Sequence, residues 1–258
     1  MTERSGFYTR TLDSLLDRGV LAADMHVLVA AGGPADRDAF LALGFSDVTI
    51  TNVDEPDAAD DYTPYRREEA DAEELPYPDG AFDWAVISAG LHHCRSPHRA
   101  LLELYRVAGR GVLAVEARDS TLMRAAIRAG VVDEYELTAV ADNGFSAGGV
   151  RNTAVPNYVY RWTEREVRKT IASAAPHARH EFLWFHELEL PLSVYEVGGG
   201  RRTVGRALGL LEPAARLVAR VAPGQANLFA FAVLKGGLQP WMRTADEPDE
   251  EWIRRRLG

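Results

Sequence analysis

Cysteine is nearly missing: Cys94 is the only one in 258 residues. A lone thiol rules out an internal disulfide and fits a reducing compartment. Lysine is almost as rare. Of 29 basic residues only Lys169 and Lys235 are lysines, and against 38 acidic residues the net charge is −9. That balance leaves no cationic excess with which to track a nucleic-acid backbone, so no nucleic-acid partner is expected. The opening MTERSGFYTR lacks the apolar centre of a signal peptide. No apolar run approaches the ~20 residues that cross a bilayer. Together these absences predict a cytoplasmic protein with no membrane span.

What is present reads as a single α/β domain over residues 1–258, long enough to bury a large core. Residues 1–24 carry an N-terminal helix with Leu12, Leu15 and Leu16 on one face, ending near Gly19. Met25 to Asp54 reads as strand, glycine turn, helix and strand. The apolar run HVLVAA meets Gly32-Gly33, a helix follows over Asp36–Leu43, Gly44 stops it, and VTITNV leads to Asp54. This is the front half of a doubly wound nucleotide site. The turn lets a ligand approach the backbone, and an acid about 20 residues on can hold a ribose. A third strand is expected near Tyr65–Ala70, a fourth at Phe82–Ser88, and a fifth at Val112–Val115 with Glu116 at its carboxyl end. Between the last two, Ser96-Pro97 opens a helix that Gly109–Gly111 should end.

Three segments carry a resemblance: DAEELPYPDGAFD at 71–83, LHH at 91–93 and PHRALLELYRV at 97–107. In this order and spacing, across roughly residues 25–120, they resemble the class I S-adenosylmethionine-dependent methyltransferases, in particular a broad bacterial small-molecule group. The resemblance implies a Rossmann-like doubly wound sheet of seven strands, the last antiparallel, with helical lid insertions over 121–222 and a final strand and tail over 223–258. It implies S-adenosylmethionine as cofactor and S-adenosylhomocysteine as product. Ala31, Gly32 and Gly33 would approach the methionine portion. Asp54 would bind the ribose hydroxyls, Asp71 and the Ala72 amide the adenine, and Ser88, Ala89 and Gly90 the sulfonium side. The chain departs from the pattern where Val29 replaces an acid and where Ala31 and Ala35 replace glycines. Asp36 or Arg37 are the residues at hand to substitute for the acid.

Methyl transfer to an alcohol needs a general base, because the hydroxyl pKa is high. His92 and His93 follow the fourth strand, and histidine titrates near neutral pH. Glu116 could orient or charge-stabilise either ring, as the resemblance to sugar O-methyltransferases implies. The competing reading is that one histidine packs or caps the next helix. His92, His93, Cys94 and His98 match no regular zinc spacing, so no metal is expected. A weak Mg2+ requirement through Glu116 or Asp119 stays open.

The stretch VRNTAVPNYVYRWTEREV mixes aromatic faces with amide and guanidinium donors. Arg151, Asn152, Asn157, Tyr158, Tyr160, Arg161 and Trp162 are its candidates for a carbohydrate acceptor, against the plainer reading of a helix entry. Thr163 and Glu166 form a capping-box pattern for a helix over 163–174. Strands are expected at His180–Leu190 and Asn227–Leu234. A helix over 204–221 bears a stripe of Val204, Leu208, Leu211 and Leu217, read first as core and second as a homodimer contact. The leading expectation is an O-methyltransferase acting on a sugar or polysaccharide hydroxyl. The alternatives are methylation of a phenol or amine, and a non-catalytic binding protein of the same fold.

Overall fold

The computed structural model describes residues 3–56, 58, 60–189, 213, 217, 218 and 221–258. Seven strands join one sheet: β1 (His26–Ala30), β2 (Asp47–Asn52), β3 (Arg66–Glu69), β4 (Phe82–Ser88), β5 (Ala108–Ala117), β6 (Ala178–Glu187) and β7 (Leu228–Leu238). Their order is β3-β2-β1-β4-β5-β7-β6. The pairs among β1 to β5 are parallel, and β7 runs antiparallel to both β5 and β6. This is the Rossmann-like doubly wound topology, with the antiparallel strand inserted next to β5.

Strand alternation sorts side chains to two faces, and each face is roofed by helices. Helices α1 (Glu3–Asp17) and α2 (Pro34–Ala42) cover one face. There Leu12, Leu15 and Phe40 pack with Val27, Val29, Val86 and Leu113, all fully buried. Helices α3 (Pro97–Val107) and α6 (Glu164–Ala174) cover the other. Leu101, Leu104, Val167 and Ile171 meet Leu28, Ile87, Val112 and Phe231 there. Ser96 caps α3 by accepting from the Arg99 N–H, with Pro97 in the first position. Helices α4 (Thr121–Arg128) and α5 (Leu137–Asp142) belong to the segment between β5 and α6, and α7 (Glu250–Leu257) closes the chain.

Gly19 ends α1 as expected, while the start of β5 and the cap of α6 differ from expectation. Helix α1 stops at Asp17, because the Gly19 and Val20 N–H groups turn back to the Leu16 and Leu15 carbonyls. The glycines at 109 and 111 lie inside β5. Pairing begins at Ala108 opposite Phe82, and a register shift absorbs the step. Thr163 caps α6, but the reciprocal half of the capping box is missing: the Glu166 carboxylate accepts from the Tyr160 hydroxyl instead. Most of the expected 204–221 helix, with Val204, Leu208 and Leu211, lies outside the described residues; Leu217 is described and exposed. Among the described residues, no helix is long and apolar enough to cross a membrane.

Candidate active site

The carboxyl ends of the parallel strands meet along one edge of the sheet, where a doubly wound fold binds its ligand. The β1 turn takes a left-handed step at Ala31 (φ 51°), and the β4 turn does the same at Ala89 (φ 52°). An alanine held there costs roughly 1–2 kcal/mol. Glycine is needed beside each step for space. A Cβ on Gly32 would stand 2.8 Å from Val29 Cγ1 and 2.9 Å from Ile50 Cγ2, and one on Gly90 would stand 2.9 Å from the Ala31 Cβ. The two turns therefore abut, and the structure brings Ala31, Gly32, Gly33, Ser88, Ala89 and Gly90 together. Val29 is fully buried in the core, so no polar group replaces the expected acid at that position. Asp36 is committed to its own helix: Oδ2 accepts from the Gly33 N–H at 2.9 Å. Burial pushes its carboxyl up, with the Gly33 bond opposing. Arg37 is engaged with Asp38, Asp61 and the Thr63 carbonyl.

Asp54 lies two residues beyond β2 and is without a hydrogen bond or ion pair among the described residues. Asn52, which sequence reading passed over, donates to the Gly32 carbonyl at 3.2 Å and ties the β2 end to the β1 turn. Asp71 is already engaged. Its Oδ1 accepts from the Glu73 N–H at 2.9 Å, and its Oδ2 pairs with Arg151 at 2.6 Å. Ala72 packs its methyl into the core. Glu73 is structural, accepting from the Arg95 and Ser96 N–H groups ahead of α3.

The candidate catalytic groups stand at the ends of β4 and β5. Leu91–His93 form a 3-10 turn, and Glu116 of β5 grips it. Its Oε1 accepts from the Leu91 N–H at 2.7 Å, and its Oε2 meets His92 Nδ1 at 2.6 Å. Both side chains are buried. With Nδ1–H donated to Glu116, the other ring nitrogen, Nε2, faces away from the sheet. There it meets Glu136, whose carboxylate lies 3.5 Å from His92 Nε2 and 3.4 Å from His93 Nε2. Burial works against the His92 charge, but Glu116 and then Glu136 override it and raise its pKa to about 9. Burial and the neighbouring His92 charge pull His93 down. Burial likewise opposes the Glu136 charge, yet the two histidines hold its carboxyl at about 2.

Sequence reading missed Glu136. It stands just ahead of α5, outside every recognisable motif. What positions it is a backbone ladder: the Glu136 N–H donates to the Asn157 carbonyl, the Val159 N–H to the Glu134 carbonyl, and Tyr135 bridges Tyr158. The ladder belongs to the segment expected to hold the acceptor, whose seven candidates separate into three groups. Asn157 is fully buried; its side-chain amide makes no bond of full hydrogen-bond geometry but stands close enough to the Glu136 carboxylate to help hold it down. Tyr158 is exposed, edge-on to an equally exposed Tyr135. These two remain candidates, and Tyr160 stands beside His98 at the α6 entry. Arg151 is drawn to Asp71, Asn152 accepts from the Gly148 N–H, and Arg161 donates to the Val159 and Asp133 carbonyls. Trp162 is a core residue, fully buried against Phe231, and is not available to an acceptor.

Neither residue considered for Mg2+ is free. Glu116 is bound as above, and Asp119 pairs with Arg124 at 2.8 Å. Cys94 turns its thiol toward the Gly90 carbonyl.

A family model described as "Methyltransferase domain" matches residues 29–115. No curated protein matches the sequence. Among solved structures, a chain of the Haloferax volcanii complex between the Trm112 methyltransferase activator and a methyltransferase is similar at 13% identity. The match covers 83% of each chain with a TM-score of 0.50. A SAM-dependent methyltransferase from Methanosarcina mazei aligns at 14% identity over 87% of this chain and 98% of that one, with a TM-score of 0.48. Magnesium protoporphyrin IX methyltransferase from Synechocystis PCC 6803, with bound SAH, aligns at 12% identity over 89% and 84%, with a TM-score of 0.49.

Proposed function

We propose that this chain, whose residues 29–115 match a methyltransferase-domain model, is an S-adenosylmethionine-dependent methyltransferase that transfers the methyl group to a hydroxyl of a sugar or polysaccharide, with His92 as base. The observation that carries the proposal is the buried 2.6 Å pair between His92 Nδ1 and Glu116. A carboxylate on Nδ1 fixes the tautomer and leaves Nε2 to take the proton of an incoming hydroxyl. The cofactor, when bound, supplies an electrophilic methyl on sulfonium. Ala31 to Gly33, Asp54 and Ser88 to Gly90 would hold it.

In the resting arrangement Glu136 occupies the Nε2 side and keeps His92 charged. The acceptor hydroxyl takes that place, and once the carboxylate withdraws His92 returns toward the neutral range where a base works best. Support for a sugar comes from the exposed Tyr135 and Tyr158 rings beside Glu136, together with the buried Asn157 amide. Apolar ring faces and a buried amide suit a polyhydroxylated ring. A cytoplasmic location accords with the single thiol.

Two measurements test this. Calorimetry with S-adenosylhomocysteine comes first. No binding at ~1 mM, a limit of about −4 kcal/mol, favours a non-catalytic scaffold. A methyl-transfer screen over sugars, phenols and amines follows. Turnover of phenols or amines with none of sugars rejects the carbohydrate assignment and leaves the methyltransferase standing.

A further inference from the structure

His92, His93 and Glu136 converge in a way that neither base catalysis nor an ordinary ion pair requires. One carboxylate faces two Nε2 atoms at 3.5 and 3.4 Å, and the three groups offer ligand atoms all within 4.8 Å of one another. Charge-assisted hydrogen bonds run to about 2.7–2.9 Å, and His92 reaches 2.6 Å on its other side, to Glu116. On the Nε2 side the same ring stops well short of contact. Two ligands each about 2.0–2.1 Å from a tetrahedral dication stand about 3.3 Å apart. The two His–Glu separations, one to each carboxylate oxygen, are close to that spacing, and the cluster as a whole, within 4.8 Å at its widest, would draw in around an ion.

The surroundings match as well. A metal-bound histidine almost always donates its second ring N–H to a carboxylate, which fixes the tautomer and raises ligand basicity. Glu116 does this for His92 from inside the sheet. Glu136 precedes α5 directly, yet its side chain makes no cap bond to that helix.

We propose that His92 Nε2, His93 Nε2 and the Glu136 carboxylate form a binding site for a transition-metal dication of the zinc class, with one coordination position left for water. Two imidazoles and one carboxylate suit such an ion better than Mg2+, which prefers oxygen ligands. The ion and a proton compete for one lone pair on His92 Nε2, so the loaded protein cannot use His92 as base. That consequence rests on the base reading of His92; the site itself does not.

The test uses the full chain, free of any affinity tag and stripped with chelator. Co2+ is the probe, followed by its visible absorption and by calorimetry, with Zn2+ as competitor. The expected result is one equivalent bound with the intense bands of a four-coordinate ion and displaced by Zn2+. His93→Ala and Glu136→Gln should lower affinity more than 100-fold, Glu116→Gln about 10–100-fold as a supporting residue, and His177→Ala not at all. Zn2+ should slow methyl transfer by the roughly 10²–10⁴-fold that a base contributes. No Co2+ bound at ~1 mM, or equal binding by wild type, His93→Ala and Glu136→Gln, overturns the site. S-adenosylhomocysteine calorimetry on the same samples keeps the two readings apart, because cofactor binding without Co2+ binding removes the metal site alone.

Discussion

Replacing Glu116 by glutamine changes one atom and should disable the site while leaving the fold intact. The carboxylate is buried and accepts two bonds, from the Leu91 N–H at 2.7 Å and from His92 Nδ1 at 2.6 Å. A glutamine oxygen can keep the first. Its NH2 must then face Nδ1, which becomes an acceptor and sends the ring proton to Nε2. The lone pair that should receive the acceptor's proton is lost, along with the roughly 10²–10⁴-fold that a general base contributes. Stability should fall by only about 1–2 kcal/mol, the difference between a charge-assisted and a neutral hydrogen bond. Glu116→Ala is the harsher control. It leaves a buried N–H unpaired and strips the buried imidazolium of its close partner, for roughly 3–5 kcal/mol. The assay is single-turnover methyl transfer by chelator-treated protein, with urea unfolding alongside and 15N shifts of the His92 ring to report the tautomer. A Glu116→Gln protein that keeps Nδ1–H and turns over within a few-fold of wild type would refute the dyad.

Further outcomes follow from the same geometry. A base must be deprotonated to act. With His92 at about 9, kcat/KM of the metal-free enzyme should therefore climb with pH through that value. Glu136→Gln removes one of the carboxylates that raise it, so the climb should move to lower pH; an unmoved profile would contradict the coupling. Burial pushes the Cys94 thiol up to about 12 from an ordinary 9.0. Its thiolate fraction at pH 8 should be about 10³-fold lower than normal, so iodoacetamide should label it far faster in urea than in the native state. Trp162→Ala should cost about 3–5 kcal/mol as a core truncation. Tyr158→Ala should leave urea unfolding almost unchanged and raise the acceptor KM.

The centre of the sheet was legible because β1, β4, β5 and β7 are largely buried on both faces and read as apolar runs, whereas the edge strand β3, RREE, carries no such pattern. FDWAVIS matches β4 residue for residue. The placing of the candidate groups was legible where local spacing carries it, as in the glycine turn, Asp54 past β2, and the histidines after β4 with Glu116 near the end of β5. It failed where position depends on contacts distant in sequence. Trp162 among tyrosines and arginines looks like a sugar platform, yet its neighbour Phe231 arrives from β7, 69 residues later. Asp71 looks free in sequence, and only the fold brings Arg151 onto it. Glu136 has no motif at all. Its place comes from pairing residues 134–136 with 157–159, which no local pattern announces.

That short ladder has a consequence for chemical fidelity. Water is the commonest nucleophile near any bound sulfonium, and a site with its base ready would spend cofactor on it. Here the carboxylate delivered by the ladder keeps the imidazole charged until something displaces it. A water molecule is too small and too weakly bound to push a tethered segment aside, whereas the proposed sugar acceptor, pressing on the two tyrosine rings, would work on the ladder itself. Under the proposed function, an enzyme so arranged would be inert toward solvent by default, and would arm itself only when an acceptor large enough to move the 134–136 segment is in place.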